Sequence, residues 1–318
     1  MSAKSAELHD VVMVGAGPAA LSAAIYTTRE DIDTVLFEKG VIGGLAAITD
    51  WVDNYPGFAE GVAGLELAES LQKQAERFGA DIRLGEVTKI ARDGDIIKLD
   101  TTDGPIHAKA VLITTGSDYK KLGIPGELDY YARGVHYCAT CDGAFYRDKR
   151  LVVVGGGNSA VQETLFLNKF ASHIDLLVRG DHMRASDILQ QELAEHSEKI
   201  TVHLNTTTDE IIGNPDQVGS KVNKVVGTDV KTGKKVNFDT DGVFVFIGLL
   251  PNTQFLKGSK VELDEVGMIK TNDKLETSMR GVFAAGDVRS GATMQIASAA
   301  GEGATAALMI RKYLEAHG

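Results

Sequence analysis

The alternation of apolar and helix-forming segments repeats along the chain. An apolar run of strand length, HDVVMV at 9–14, is followed by a glycine turn, a helix-forming segment and a second apolar run at 34–39. The same order returns with RLVVVGGG at 150–157, the segment NSAVQETLFLNKF, and HIDLLVRG at 173–180. Buried strands joined by a helix are typical of a βαβ unit. The pattern therefore predicts an α/β fold with two doubly wound, Rossmann-like units.

Short strand patterns follow each unit and suggest how the domains are arranged. Residues 86–116 and 221–248 contain strand-like runs, the first of them broken by DG turns. After Gly248 the chain continues only as a short tail, with a strand at 281–287 and an alanine-rich helix. We expect this tail to complete the first domain, with the second domain inserted in it. The predicted bounds are 1–117 with 248–318 for the first domain and 118–247 for the second.

The composition of the chain narrows the range of functions that it can have. Of the 318 residues, 43% are hydrophobic and 24% are charged, which is typical of a soluble globular protein. The formal net charge of -11 disfavours sequence-independent binding to nucleic acid or to an anionic membrane, because such binding needs many Lys and Arg residues. The start MSAKSAELHD lacks the pattern of a secretory leader, and no apolar window of membrane-spanning length occurs. We expect a cytosolic protein.

The first βαβ unit carries a dinucleotide fingerprint. Gly15, Gly17 and Ala20 form G-x-G-x-x-A at the turn from strand to helix, where phosphates meet the helix N-terminus. Glu38 follows 23 residues after Gly15, at the end of the second strand, where a carboxylate can accept hydrogen bonds from ribose hydroxyls. An ordinary glycine turn is the alternative. The strand, the helix and Glu38 together favour a dinucleotide site.

The second unit repeats the glycine motif with Gly155, Gly157 and Ala160. No carboxylate stands at the position equivalent to Glu38, which is Val178 here, and Asp175 lies inside the strand pattern. This unit therefore lacks the usual acceptor for a free ribose 2′-hydroxyl.

Two arginines adjoin this second strand. Arg179 and Arg184 suit a ribose 2′-phosphate, which predicts NADPH in preference to NADH. The alternative is a solvated surface pair with no ligand.

The chain contains two cysteines, Cys138 and Cys141, in a C-x-x-C motif. Zinc would need three or four ligands, and His136 could add only one. A purely structural disulfide is uncommon in the cytosol, so the pair is interpreted as a redox-active dithiol. Asp142 is a candidate proton carrier for the dithiol, although a helix N-cap is an equally plausible role for it.

Six segments together resemble a known family, the low-molecular-weight thioredoxin reductases. The most specific is CATCDG directly ahead of the second glycine motif. The segments are GAGPAA at 15–20, GGLAAITDWVDNYPGF at 43–58, CATCDGAFYR at 138–147, GGGNSA at 155–160, GLLPNT at 248–253 and GVFAAGD at 281–287. The resemblance spans nearly the whole chain.

This resemblance implies an FAD domain, an inserted NADPH domain that carries the cysteines, and a homodimer. Cys141 would be the thiol nearest the flavin, and Cys138 the thiol that attacks the disulfide of thioredoxin or a thioredoxin-like dithiol protein. The NADPH domain would rotate about hinges near 117 and 248. The implied FAD residues outside the first glycine motif and Glu38 are Gly44, Asn54, Pro56, Gly286, Asp287 and Gln295.

The chain departs from the family in three places. The usual His-Arg-Arg-x-x-x-Arg clamp for the 2′-phosphate is reduced to Arg179 and Arg184, with Val178, Gly180 and Asp181 at neighbouring positions. A glutamine after the glycine pair is replaced by Leu45, and an Arg-Gln pair by Met294-Gln295. The reduced clamp favours, as the alternative, NADH or ferredoxin as the donor. Two further alternatives are a flavin dithiol oxidase, against which the two intact glycine motifs speak, and a flavin-bound redox sensor.

Overall fold

A computed structural model of the protein describes residues 6–49, 51–213 and 221–317. The chain divides into two compact units, Met1–Asp118 with Leu250–Gly318, and Tyr119–Leu249. That the first unit binds FAD and the second NADPH remains a prediction. The expectation of no leader segment depends on residues 1–10, of which 1–5 lie outside the described part.

Strands and helices are numbered from the N-terminus. The strands are β1 Glu7–Val14, β2 Thr34–Glu38, β3 Trp51–Val52, β4 Val62–Ala63, β5 Asp81–Leu84, β6 Val87–Asp93, β7 Ile96–Thr101, β8 Gly104–Ile113, β9 Ser117–Tyr119, β10 Val135–His136, β11 Arg150–Val154, β12 His173–Leu177, β13 Ile200–His203, β14 Thr206–Gly213, β15 Val222–Asp229, β16 Lys235–Asp239, β17 Gly242–Val245, β18 Leu249–Pro251 and β19 Val282–Ala284. The α-helices are α1 Pro18–Thr28, α2 Gly44–Ala47, α3 Gly64–Arg77, α4 Ala139–Asp142, α5 Asn158–Leu167, α6 Asp187–Ala194 and α7 Ile296–His317, and 3-10 helices span Gly143–Tyr146 and Gln254–Leu256.

The first unit is built on a seven-stranded sheet in the order β5-β2-β1-β8-β7-β6, with β19 also paired to β8. The neighbours β5, β2, β1, β8 and β19 run parallel, whereas β7 and β6 run antiparallel. Strand β2 and the C-terminal halves of β1 and β8 are buried on both faces, which explains the apolar runs VVMV in β1 and AVLI in β8. One face packs against α1, α3 and α7, and the other packs against side chains of β6 and β7 and of the segment 256–288.

Helix α7 packs on α1 through small residues. The segment is rich in alanine, and a Cβ at Gly303 would collide with the carbonyl of Ala19. Because only glycine permits this approach, the tail of the chain lies directly on the first βαβ unit. Pairing of β19 with β8 ties the tail to the sheet as well. The tail therefore completes the first unit.

The second unit contains a five-stranded parallel sheet in the order β10-β17-β11-β12-β13 and a three-stranded antiparallel sheet, β14-β15-β16. Apolar side chains cover both faces of the parallel sheet. Over the part of the chain that the structure describes, no helix is long and apolar enough to cross a membrane.

Candidate functional site: two glycine turns and a cysteine pair

The first glycine turn leaves open space in front of α1. Gly15 has a φ of +99°, and a Cβ there would lie 2.6 Å from the Thr114 carbonyl oxygen, so only glycine fits. A Cβ on Gly17 would meet no atom within 4 Å. Helix α1 starts at Pro18 without a side-chain cap, which leaves its first N–H groups for another acceptor. Ala20 is fully buried within α1. This geometry fits a pyrophosphate at the helix N-terminus.

Glu38 reaches back to this turn from the end of β2. Its Oε2 accepts a hydrogen bond from the Ala16 N–H at 2.8 Å, and its Oε1 accepts one from the Gly40 N–H at 2.8 Å. Each carboxylate oxygen can accept a further bond, so the ribose hydroxyls of a nucleotide still have acceptors. Glu38 therefore shapes the loop as well as offering a ribose contact.

Other residues predicted to contact FAD are also brought near this turn or near one another. A Cβ on Gly44 would lie 3.6 Å from Gly17 Cα, so α2 begins beside the glycine turn. Asn54 donates a hydrogen bond from Nδ2 to Oε1 of Gln295 at 3.1 Å, across 241 positions of sequence. Leu45 is an exposed apolar residue, which lacks the polar group of the glutamine it replaces.

Asp287 follows Gly286 directly after β19. Its main-chain oxygen accepts a hydrogen bond from the Ser117 hydroxyl at 2.6 Å, but among the described residues its half-buried carboxylate has no partner. Burial, together with the nearby charge of Glu302, raises the pKa of Asp287 to about 6. A desolvated carboxylate without a protein partner fits a ligand hydroxyl donor, such as the ribityl chain of a flavin.

Sequence reasoning missed the ion pair that holds this segment. Arg289 donates from Nη2 to Oε1 of Glu302 at 2.6 Å and from Nε to Oε2 at 3.1 Å. Glu302 Oε2 also accepts the Gly286 N–H at 2.8 Å, so α7 fixes the residues beside Asp287. A charged residue within an alanine-rich apolar helix is the sequence signal that could have revealed Glu302.

The second glycine turn repeats the first in the other unit. Gly155 has a φ of +149°, and a Cβ there would lie 2.7 Å from the Cβ of Ala160 and would collide with the Phe246 carbonyl. A Cβ on Gly157 would meet nothing within 4 Å, and α5 starts beside it without a side-chain cap. This unit therefore presents a second open helix N-terminus that fits a pyrophosphate.

The loop after β12 carries the two arginines. Arg179 and Arg184 are exposed, and neither has an ion-pair partner in the described part of the chain. The Arg184 N–H donates to the Gly156 carbonyl at 2.7 Å, which ties the loop to the glycine turn. The loop therefore presents two exposed cations beside the second glycine turn.

Asp175 is committed to a structural role in β12. It is buried, and its Oδ1 lies 2.8 Å from His203 Nε2. Burial acts to raise the pKa of Asp175, but the His203 hydrogen bond and the charges of His173, His203 and Arg150 bring it below its usual value. Its carboxylate is thus occupied within the protein.

Cys138 and Cys141 form a disulfide, with their Cα atoms 5.4 Å apart. Cys138 precedes α4, and its Sγ accepts the Cys141 N–H at 3.2 Å. Cys138 is half-buried and Cys141 is exposed. In the described ranges, no group of three or more His, Cys, Asp or Glu residues could hold a metal ion.

Asp142 does not act as a cap. It precedes the 3-10 helix Gly143–Tyr146, but its side chain makes no capping hydrogen bond. Its Oδ2 instead lies 3.2 Å from Nδ1 of His136, whose Nε2 lies 2.7 Å from the Tyr146 hydroxyl. The sequence had singled out His136 only as a possible zinc ligand, and the structure places it against the proton-carrier candidate.

These features define a class of protein. The family model of the pyridine nucleotide-disulphide oxidoreductases matches residues 9–303, and the chain belongs to that family. Members of this family use a flavin and a pyridine nucleotide.

Comparison with individual relatives gives a narrower class than the family model does. The chain is 41% identical to the thioredoxin reductase of Bacillus subtilis, over 97% of this chain and 96% of that protein. It is also 41% identical to the thioredoxin reductase of Treponema pallidum, over 96% of this chain and 97% of that protein. The crystal structure of thioredoxin reductase from Streptococcus pyogenes superposes with a TM-score of 0.91 at 39% identity, covering 98% of this chain and all of that one. The predicted resemblance and fold class are confirmed.

Proposed function

We propose that this protein is a flavin-dependent thioredoxin-disulfide reductase, in which electrons pass from NADPH through FAD and the Cys138/Cys141 disulfide to thioredoxin. The observation that carries the proposal is the disulfide in the same compact unit as the second glycine turn. The full-length similarity to thioredoxin reductases supports it. A cytosolic location belongs to the same proposal.

The chain's own residues supply the dithiol chemistry. When bound, a reduced flavin would supply two electrons to the disulfide. The S–S bond takes up this electron pair and breaks, and one proton is bound, which leaves one thiol and one thiolate. Asp142, which directly follows Cys141, is the residue that we propose carries that proton.

Transfer to the partner then follows by exchange. The Cys138 thiolate attacks one sulfur of the partner disulfide, and the partner's other sulfur leaves as a thiolate. The Cys141 sulfur, after losing its proton, attacks Cys138, which restores the enzyme disulfide and releases the reduced partner. The proton from Cys141 passes to the departing thiolate, so atoms and charges balance.

FAD should copurify with the protein and should be lost more readily from Glu38→Ala. The substitution removes the acceptor proposed for the ribose and also leaves the buried Ala16 N–H unpaired. A charge-assisted hydrogen bond contributes about 1.5–3 kcal/mol, which corresponds to at least a tenfold increase in the Kd for FAD. The measurement is flavin absorbance relative to protein after desalting and titration with added FAD.

The matched control is Glu86→Ala, an exposed carboxylate whose nearest cation, Lys39, lies 3.8 Å away. It should retain flavin like the unaltered protein. A colourless protein that binds no added FAD would remove the first-site assignment.

The coenzyme assignment rests on Arg179 and Arg184. Both guanidinium groups are exposed and, within the described ranges, form no ion pair, in a loop that is bonded to the second glycine turn. They can donate charge-assisted hydrogen bonds to a ribose 2′-phosphate. With fewer donors than the usual family clamp, the preference for NADPH over NADH should be smaller than a full clamp gives.

Arg179→Ala and Arg184→Ala should each raise the KM for NADPH by roughly tenfold, about 1.4 kcal/mol, with little change for NADH, which has no 2′-phosphate. The affinity for NADPH should fall as salt increases, because the loop is exposed. Lys199→Ala, an exposed cation outside this loop, is the control. The measurement is the initial rate of reduction with each coenzyme.

Anaerobic titration of the flavin with NADPH, NADH and reduced ferredoxin distinguishes the alternatives. Equal reduction by NADPH and NADH would contradict the 2′-phosphate assignment. Reduction by ferredoxin alone would favour the same dithiol chemistry with a different donor. If none of the three donors reduces the flavin and oxygen rapidly oxidises the chemically reduced dithiol, a flavin dithiol oxidase would be favoured.

The homodimer that the family resemblance implies is also part of the proposal. Five large apolar side chains are exposed in one stretch of the first unit, which supports a partner surface there. They are Val41, Leu45, Ile48, Trp51 and Leu65.

A further inference from the structure

A buried histidine lies behind the cysteine motif. His136, on β10, is 8% exposed and stacks on Phe244 of β17 with ring centroids 5.1 Å apart. Both of its ring nitrogens face polar groups, Oδ2 of Asp142 at 3.2 Å and the hydroxyl of Tyr146 at 2.7 Å. The three side chains form a short polar chain inside an otherwise apolar cluster. A buried polar chain of this kind needs a reason beyond packing, because apolar residues would fill the same space without desolvating polar groups.

The groups that face the two ring nitrogens, Asp142 and Tyr146, determine which nitrogen of His136 carries the proton. An ionised Asp142 can only accept, so Nδ1 carries a proton toward it. The Tyr146 hydroxyl can then donate to Nε2 of a neutral ring. In this arrangement each polar atom of the histidine meets a complementary group.

Asp142 is in turn tied to the cysteines. It directly follows Cys141 in α4, and its N–H donates to the Cys138 carbonyl at 3.2 Å. Asp142 therefore lies within one helical turn of both cysteines along the chain. Any charge that it holds acts on the thiolates formed when the disulfide opens.

We propose that His136 is a positioning residue for the dithiol: its Nδ1–H holds the carboxylate of Asp142, the residue that follows Cys141, in place by a hydrogen bond. This role deepens the proposed function, on which it rests. Without His136, the carboxylate would lose this hydrogen bond and would be free to turn, so its negative charge would act more strongly on the cysteines and thiolate formation would be harder.

The groups that contact the ring of His136 come from three elements. The titratable groups against its ring are Asp142 from α4 and Tyr146 from the 3-10 helix, while β17 contributes only Phe244. Burial, followed by the charges of Asp142 and Asp241, raises the pKa of Tyr146. Burial and then Asp142 likewise raise the pKa of Tyr131. Both tyrosines therefore stay neutral and add no negative charge beside Asp142.

The test is the pH dependence of thiol alkylation in the full-length flavoprotein. The protein is reduced with dithiothreitol, freed of it anaerobically, and treated with iodoacetamide across a pH series. Because the chain has two cysteines, every alkylated thiol belongs to this pair. The variants are His136→Phe, which preserves an aromatic ring against Phe244, Asp142→Asn, and the double variant.

His136→Phe should raise the alkylation midpoint by about one pH unit, the size expected when a carboxylate near the thiols loses its hydrogen-bond donor. Asp142→Asn should lower the midpoint, and His136→Phe should add no further shift in that background. His136→Asn, which keeps an N–H donor, should shift the midpoint less than His136→Phe. His196→Phe, at a surface histidine of the same unit, should leave it unchanged.

An unchanged midpoint in His136→Phe would overturn the proposal. The proposal would also be overturned if His136→Phe shifted the alkylation midpoint equally in the unaltered protein and in the Asp142→Asn background. The ring would then act on the sulfurs directly or through packing. If His136→Phe does not fold, the comparison between His136→Asn and the unaltered protein decides in the same way. The assay needs neither coenzyme nor partner, so its outcome is separate from the fate of the proposed function.

Discussion

Cys138→Ser should abolish thioredoxin reduction while leaving reduction of the flavin by the coenzyme intact. Transfer from coenzyme to flavin needs no thiol, whereas the partner disulfide must be attacked by a thiolate. Loss of a covalent nucleophile lowers turnover by on the order of 10³-fold or more. Two measurements separate the steps: anaerobic flavin bleaching by the coenzyme, and steady-state reduction of a thioredoxin.

A serine hydroxyl cannot form a disulfide, so the variant should also contain a single free thiol after denaturation, from Cys141. Thr140→Ser, which alters the exposed residue between Ala139 and Cys141 without touching a sulfur, is the matched control and should turn over normally. Normal thioredoxin turnover by Cys138→Ser would show that the pair is not the relay.

Glu302→Ala should destabilise the first unit and release flavin. The substitution leaves the Arg289 guanidinium without its bidentate partner and the Gly286 N–H without an acceptor. Breaking a buried ion pair costs about 3–5 kcal/mol. Because both side chains remain 18% exposed, we expect the lower end, about 3 kcal/mol. The measurements are denaturant unfolding and flavin retention.

Flavin loss should accompany this destabilisation because Gly286 directly precedes Asp287, the proposed ribityl acceptor. Glu315→Ala is the matched control on the same helix: its oxygen lies 3.7 Å from Arg311 in an exposed pair that is worth at most about 0.5 kcal/mol. Glu302→Ala protein with the stability and flavin content of this control would show that the ion pair does not hold the site.

Much of the architecture could be predicted from local sequence. The long apolar runs of β1 and β11 became parallel strands because each is buried on both faces. Gly15 and Gly155 could be recognised because their backbone conformations exclude other residues. Strand ends were less certain, and the segment at 281–287 contributes only Val282–Ala284 as a strand.

Long-range contacts could not be predicted in this way. Asn54 contacts Gln295 across 241 positions, and Arg289 of the loop after β19 contacts Glu302 of α7; neither pairing leaves a periodic signal in the sequence. Individual residue types could suggest that such groups matter, but not which partners they choose.

The sequence by itself determined the two βαβ units, the glycine turns and the cysteine pair, because each depends on residues a few positions apart. Only the tertiary structure decided the use of the isolated polar residues. It assigned Asp175 to a buried histidine contact, left Asp287 without a partner among the described residues, and set His136 between Asp142 and Tyr146. The physical reason is that the charge state and role of a polar group depend on what surrounds it in three dimensions.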